Sequence, residues 1–330
     1  MRALVDRRMS RILIIRPSSL GDIVHALPIV HDLHRHRANT EIDWVVEEPF
    51  TDLVAMHRGV RRVISIALRR WRRGVLARST WLEMRRFHRE LKHERYDAVI
   101  DLQEQVKGAL IAWFARGPVH GPDRASVREG AAALFYRHRY HINPQQHLID
   151  RCRQLAGKAL GYVPAGPPRF ELRVPESSDA PQAPYVVFVH ATSRPDKLWP
   201  EQHWRGLLEH FIAHGISIVL PWGDADEAAR STRLAHGASG AIVPARRKLP
   251  ELAALLAGAT LVVGVDTGLT HLAAALGAPT VALFLATDPK LAGVSADGTH
   301  ARDLGGAGEA IATEEVIATA NALLEARSVR

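Results

Sequence analysis

At 330 residues the chain has the length of two α/β domains, and it can bury roughly three quarters of its extended surface without a disulfide or a metal. The single cysteine, Cys152, excludes an internal disulfide framework and a cysteine-based metal site, and apolar runs such as 253–257 fall well short of the ~20 residues of a membrane span. The net charge is +8, with 37 arginines among the 43 basic residues; secreted, transmembrane and disordered classes are excluded, and a reducing cytoplasm is the expected compartment.

The first nine residues, through Met9, are basic and lack the apolar core of a signal peptide. The first strand pattern opens only at Arg11, which makes Met9 a candidate start. Residues 11–16 form a continuous apolar strand and 23–36 a helix. A strand at 41–46 and a short helix at 50–57 follow, then strands at 60–67 and 98–102 with a basic helical stretch, 80–93, between them. Helices are expected at 106–115 and 147–159. Continuous apolar strands alternating with helices indicate a parallel, doubly wound sheet.

From Tyr162 to Pro184 the chain holds six prolines and little periodicity, the composition of a linker. The plan then repeats. Strands are expected at 185–189, 216–220, 241–243, 261–265 and 280–284, and helices at 200–214, 224–235, 250–257, 269–276 and 313–327. The organisation is an N-terminal domain at 1–165, a linker at 166–184 and a C-terminal domain at 185–330. Two Rossmann-like domains in tandem are expected to face a central cleft at the carboxyl ends of their strands.

The positive charge is localised. Between Arg58 and Arg95 thirteen basic residues meet three glutamates, and the rest of the chain sums to about −2. Arg69, Arg70, Arg72 and Arg73 flank Trp71 at the centre of this segment. Such a patch attracts phosphates by charge and by bidentate guanidinium geometry. Nucleic acid, an anionic membrane surface and an acidic glycolipid are candidate partners, against a merely solvated face. No nucleic-acid-binding signature accompanies the patch.

The strand at 11–16 runs into Pro17-Ser18-Ser19-Leu20-Gly21-Asp22 and then a helix. Asp22, in the first helical turn, has two readings: a carboxylate stabilising its helix, or a general base facing the cleft. As a base it needs desolvation by substrate, because the helix terminus lowers its pKa. In the second half, Thr192, Ser193 and Lys197 follow one strand, and Asp266, Thr267, Gly268 and His271 follow another. Hydroxyls, a lysine and free N–H groups at strand-to-helix turns suit a pyrophosphate. No phosphate loop and no dinucleotide fingerprint follows the first strand. Asp224-Ala-Asp226 is read as a helix cap rather than a metal motif, and Gly305-Gly-Ala-Gly308 as a polar loop with no strand before it. The eighteen histidines show no ligand spacing, so neither a metal nor a cofactor is expected.

In order, Pro17-Ser-Ser-Leu-Gly-Asp22, Asp43-Trp-Val-Val-Glu-Glu48, Arg69-Arg-Trp-Arg72, Tyr96-Asp-Ala-Val-Ile-Asp101, Gln145-Gln-His147, His190-Ala-Thr-Ser193, Lys197-Leu-Trp-Pro200, Pro221-Trp-Gly223 and Val265-Asp-Thr-Gly-Leu-Thr-His271 make the chain resemble the ADP-heptose glycosyltransferases of lipopolysaccharide core synthesis. Within that family it is most like heptosyltransferase I. The resemblance implies a GT-B fold and metal-independent, inverting transfer of L-glycero-D-manno-heptose from ADP-heptose to the first Kdo of Kdo2-lipid A. It implies Asp22 as catalytic base, with Ser18 and Ser19 in the same loop. Thr192, Ser193 and Lys197 would contact the donor, Lys197 offsetting charge on the departing ADP. Glu227 would hold the ribose, Asp266 the heptose, and Thr267, Gly268 and His271 the phosphates. Arg69, Arg70, Arg72, Arg73, Arg128 and His147 would grip the carboxylates and phosphates of the acceptor. It further implies a terminal helix packed back on the first domain; a monomer, drawn by its basic face to the cytoplasmic side of the inner membrane, is expected.

Two positions depart from the family pattern. Glu104 stands where the family has glycine in Asp-x-Gln-Gly, which puts the loop shape in question. Arg247 aligns loosely with an apolar residue near the adenine site. The rivals are a heptosyltransferase acting on a later heptose and a non-catalytic nucleotide-sugar-binding module. The Arg69–Arg73 cluster with Gln145-Gln-His147 weighs against the first, and the conjunction of Asp22, Lys197 and Asp266 against the second.

Overall fold

The protein, a computed structural model, is described over residues 10–174, 181, 184–294 and 300–328. The basic stretch through Met9 and most of 175–183 in the expected linker lie outside the described residues. Two compact units divide between Glu171 and Leu172, a point inside the 166–184 segment.

The first unit carries strands β1 (Ser10–Ile15), β2 (Thr40–Glu47), β3 (Arg62–Ile66), β4 (Ala98–Asp101), β5 (Val119–Pro122) and β6 (His138–Tyr140). They form one parallel sheet in the order β3-β2-β1-β4-β5-β6. Ile12 to Ile15 are fully buried, as a strand covered by helices on both faces requires. Ile15 pairs with Asp101 at the end of β4. The chain therefore leaves β1 and β4 side by side in opposite directions, at the switch point where doubly wound sheets hold ligands. The helix Leu148–Leu160 buries Cys152, whose thiol is pushed up to about 12 by burial.

The second unit repeats the topology with β7 (Tyr185–Val189), β8 (Ser217–Val219), β9 (Ala241–Ile242), β10 (Leu261–Val265), β11 (Thr280–Phe284) and β12 (Ala301–Gly305), in the order β12-β11-β10-β7-β8-β9. Its switch point lies between β7 and β10, where Val189 pairs with Gly264. Val316, Ala320 and Leu323 of the helix Thr313–Ser328 belong to the core of this unit, with Phe188, Trp199 and Trp204.

Two expectations are corrected and one element is added. The helix read at 23–36 is two helices, Leu20–Ala26 and Pro28–His36, because Pro28 has no N–H to continue the first ladder and starts the second at its first position. The arginine cluster occupies its own short helix, Leu68–Arg73, before the long helix Arg78–Leu91. A strand, β12, does precede Gly305-Gly-Ala-Gly308; it pairs on one side only and its Arg302 and Asp303 hide it from an apolar pattern.

Candidate functional site

Each unit gathers polar side chains at its own switch point. In the first unit the loop after β1 turns into the helix Leu20–Ala26, and the Ser18–Ser19 peptide is cis. Asp22 Oδ2 accepts from Ser19 N–H at 2.9 Å and from Ser19 Oγ at 2.8 Å. Its Oδ1 lies 3.0 Å from Arg16 Nη2. Arg16, itself 4% exposed, also donates to the Leu102 carbonyl at the end of β4. Burial alone pushes the Asp22 carboxyl up, but Arg16, the Ser19 N–H and hydroxyl, and His25 outweigh it and hold the group below the ordinary carboxylate range. Asp22 is thus an ionised acceptor at neutral pH, with its other partners already in place.

The loop after β4 supplies the opposite wall. Ser18 N–H donates to Gln103 Oε1 at 3.2 Å, and Lys107 Nζ lies 3.5 Å from Ser18 Oγ. Asp101 is fully buried, accepts from Tyr136 Oη at 2.7 Å and Gln103 N–H at 2.8 Å, and is raised to about 7 by burial. Glu104 answers the question posed by its departure from glycine. Its φ is 58°, the left-handed backbone a glycine adopts freely. Its carboxylate lies 2.5 Å from Arg151 Nη2. The loop keeps its glycine shape while carrying a charged side chain.

Of the expected acceptor residues, Ser18 and Ser19 adjoin Asp22, and Arg69 and Arg128 both act electrostatically on Lys107. Glu47, at the end of β2, lies under the charges of Arg69 and Lys107. Arg70 is committed within the protein, 2.7 Å from both Glu48 and Glu83, while Arg72 and Arg73 are exposed. His147 accepts from Ile149 N–H at the start of its helix and packs edge-on to His25 at 5.5 Å.

In the second unit Asp266, directly after β10, is the hub. It accepts from Lys197 Nζ at 2.6 Å, Thr287 Oγ1 at 2.5 Å and His271 Nε2 at 3.1 Å. Burial pushes this carboxyl up, and His271, Lys197 and Thr287 together carry it far below the ordinary range. Thr267 occupies the N-cap position of the helix Gly268–Ala275 without a side-chain capping hydrogen bond, and the first N–H groups of a helix have no intrahelical partner. Thr192 and Ser193 lie in the loop after β7, half-buried and exposed. Glu227 accepts from Gly223 N–H at 2.7 Å beyond β8, and Arg247 is half-buried in the segment after β9. Asp224 caps the helix Ala225–Ala235 through Glu227 N–H at 3.0 Å. Among the described residues no three His, Cys, Asp or Glu side chains are grouped as metal ligands.

Arg16, Gln103, Lys107 and Thr287 were not singled out from sequence. Arg16 reads as the polar end of an apolar strand and Thr287 as one residue of a loop, so only the topology reveals them.

Residues 84–303 match the model of glycosyltransferase family 9 (heptosyltransferase). The chain is 43% identical over 291 residues to lipopolysaccharide heptosyltransferase 1 of Escherichia coli (strain K12), covering 86% of this chain and 90% of that protein. It is 45% identical over 286 residues to lipopolysaccharide heptosyltransferase 1 of Pseudomonas aeruginosa, covering 86% and 81%. The solved structure of E. coli heptosyltransferase WaaC with ADP-2-deoxy-2-fluoro heptose superposes with a TM-score of 0.84 at 38% identity, over 94% of this chain and 99% of that one.

Proposed function

The chain belongs to glycosyltransferase family 9, the heptosyltransferases, and from that premise we propose that it transfers L-glycero-D-manno-heptose from ADP-heptose to the first Kdo of Kdo2-lipid A. The observation that carries the reading is the pair of charged clusters at the two switch points, Arg16–Asp22 and Lys197–Asp266–His271. The first offers a base and the second offers cations and free N–H groups for a diphosphate. The relative solved with an ADP-heptose analogue supports the donor, and the relatives named heptosyltransferase 1 support the first heptose over a later one.

Asp22 accepts the proton of the acceptor hydroxyl as that oxygen attacks the anomeric carbon, and the bond from that carbon to the diphosphate breaks with inversion. An acceptor that takes over the Ser19 donors would remove two of the interactions that depress Asp22 and strengthen it as a base. On the donor side, Thr192 and Ser193 contact the diphosphate, Glu227 the ribose hydroxyls and Asp266 the heptose. Lys197, His271 and the N–H groups of Thr267 and Gly268 offset the charge of the leaving ADP. Arg69, Arg72, Arg73, Arg128 and His147 hold acceptor phosphates and carboxylates, while Arg70 stays paired with Glu48 and Glu83. The basic segment also draws the enzyme, as a monomer, to an anionic membrane face on the cytoplasmic side; no helix among the described residues is long and apolar enough to cross a membrane. No metal takes part.

The test is ADP release from ADP-heptose with a chelator present, comparing Kdo2-lipid A with an acceptor already bearing its first heptose. Turnover with Kdo2-lipid A alone is expected. Turnover only with the heptosylated acceptor would place the enzyme at the later step, and donor binding without turnover would make it a binding module.

A further inference from the structure

The helices Arg78–Leu91 and Val106–Phe114 leave an apolar groove between them, with a volume of about 850 Å³. Trp81 and Leu82 form one wall, 52% and 56% exposed, and Leu110 and Phe114 the other, 40% and 38% exposed. A cavity of this size with large apolar side chains turned to solvent is the character of a ligand site, not of an ordinary surface. Its rim is cationic: Arg85, Arg89 and Lys107 border it directly. Glu83 does not neutralise the rim, because Arg70 and the Trp71 indole N–H hold its carboxylate.

The groove is continuous with the candidate acceptor cluster. Lys107 belongs to both, since its ammonium lies 3.5 Å from Ser18 Oγ, four residues before Asp22. Leu68 and Trp71, which line the groove, sit on the same short helix as Arg69, Arg72 and Arg73. A ligand whose anionic head meets these cations therefore has an apolar channel beside it for a tail. We propose that this groove binds an acyl chain of the anionic lipid acceptor while the arginine helix and Lys107 hold the phosphate head. The assignment deepens the proposed function and rests on its reading of the acceptor as a phosphorylated lipid. The tail would remain seated in the protein as the sugar end reaches the loop of Asp22.

The test uses the double variant Leu82→Gln/Leu110→Gln, at two exposed positions, so that the groove becomes polar without a change of charge. The first readout is quenching of tryptophan fluorescence by 11-bromoundecyl phosphate, because Trp71 and Trp81 line the groove. The half-quenching concentration is expected to rise about tenfold in the variant, and inorganic phosphate should not quench either protein. The second is kcat/KM for Kdo2-lipid A and for its fully deacylated counterpart. The wild type should favour the acylated form, and the variant should lose that preference while its turnover of the deacylated form stays unchanged. Equal quenching of the two proteins, or no quenching, would overturn the proposal; a groove that seats an acidic amphipathic helix of another protein would give the latter. An unchanged acylated-to-deacylated ratio would overturn it as well. A wild type inactive on both acceptors would defeat the proposed function, while the quenching still decides the groove.

Discussion

Arg16 and Asp22 meet at 3.0 Å across the turn that ends β1, and the arginine of the pair is almost wholly buried. The carboxylate is thus fixed by a buried cation whose other bond goes to the Leu102 carbonyl. Replacing it separates chemistry from stability. Asp22→Asn is expected to lower kcat/KM by roughly 10²–10⁴-fold, the usual worth of a general base. It also leaves the Arg16 guanidinium without its carboxylate, at a cost of about 1–3 kcal/mol. Titration calorimetry with ADP, at a temperature where the variant is folded, should give nearly unchanged affinity. Lost ADP affinity would mean that the residue serves structure alone.

The same pair sets a pH dependence. Arg16 lowers the Asp22 pKa, so the acid limb of kcat/KM should lie below the ordinary carboxylate range. Arg16→Gln removes that charge, and the limb should move to higher pH. A pH profile that only drops in height, with its limb in place, would contradict the assignment.

Lys197 is one of three donors on Asp266. Lys197→Ala leaves Thr287 and His271 in place, so the fold should be retained. Loss of a charge-assisted contact to the diphosphate should raise the KM for ADP-heptose by roughly 10–100-fold. The KM for the acceptor should not change, and an equal rise in both would argue against a donor role.

At Glu104 the left-handed backbone and the Arg151 ion pair can be told apart. Glu104→Gly and Glu104→Ala lose the pair equally, but only glycine relieves the backbone. Urea unfolding should find the glycine variant more stable than the alanine one by about 1 kcal/mol. Equal stabilities would mean that the loop relaxes out of the left-handed region.

His57, His120 and His190 are buried, and burial lowers each to about 4 from an ordinary 6.5. Between those values the unfolded chain binds protons that the folded chain refuses. Stability is therefore lost as pH falls from 6.5 towards 4, by up to ~1.4 kcal/mol per pH unit for each histidine. Asp101 opposes this, because its folded pKa of about 7 makes the folded chain take up a proton across the same window. Glu47 and Glu104, whose carboxyls burial also raises, act in the same sense as Asp101. The histidine contribution is therefore read by difference: the urea midpoint of His190→Asn, relative to the wild type, should rise as pH falls from 6.5 to 5.

The central strands were legible residue for residue. At 185–189, 261–265 and 280–284 every strand position is buried, so an unbroken apolar run has one reading. The strands missed are short or carry polar residues: β5, interior and buried, is Val-His-Gly-Pro, and two others sit at a sheet edge. β6 is His-Arg-Tyr, and β12 carries Arg302 and Asp303. The site divides in the same way. Asp22, Lys197, Asp266 and His271 announce themselves as polar residues at strand-to-helix turns, whereas Thr287 acquires its meaning only when β11 is laid beside β10. The glycine-like conformation at Glu104 could not be read from a glutamate.

Cys152, the chain's one thiol, is 2% exposed and holds its proton to about 12. At neutral pH it is nearly inert toward alkylating reagents. The native protein is therefore a silent background into which a single cysteine can be introduced, at Leu76 for instance, which is 95% exposed. A fluorophore or nitroxide attached there would report from within the basic segment alone.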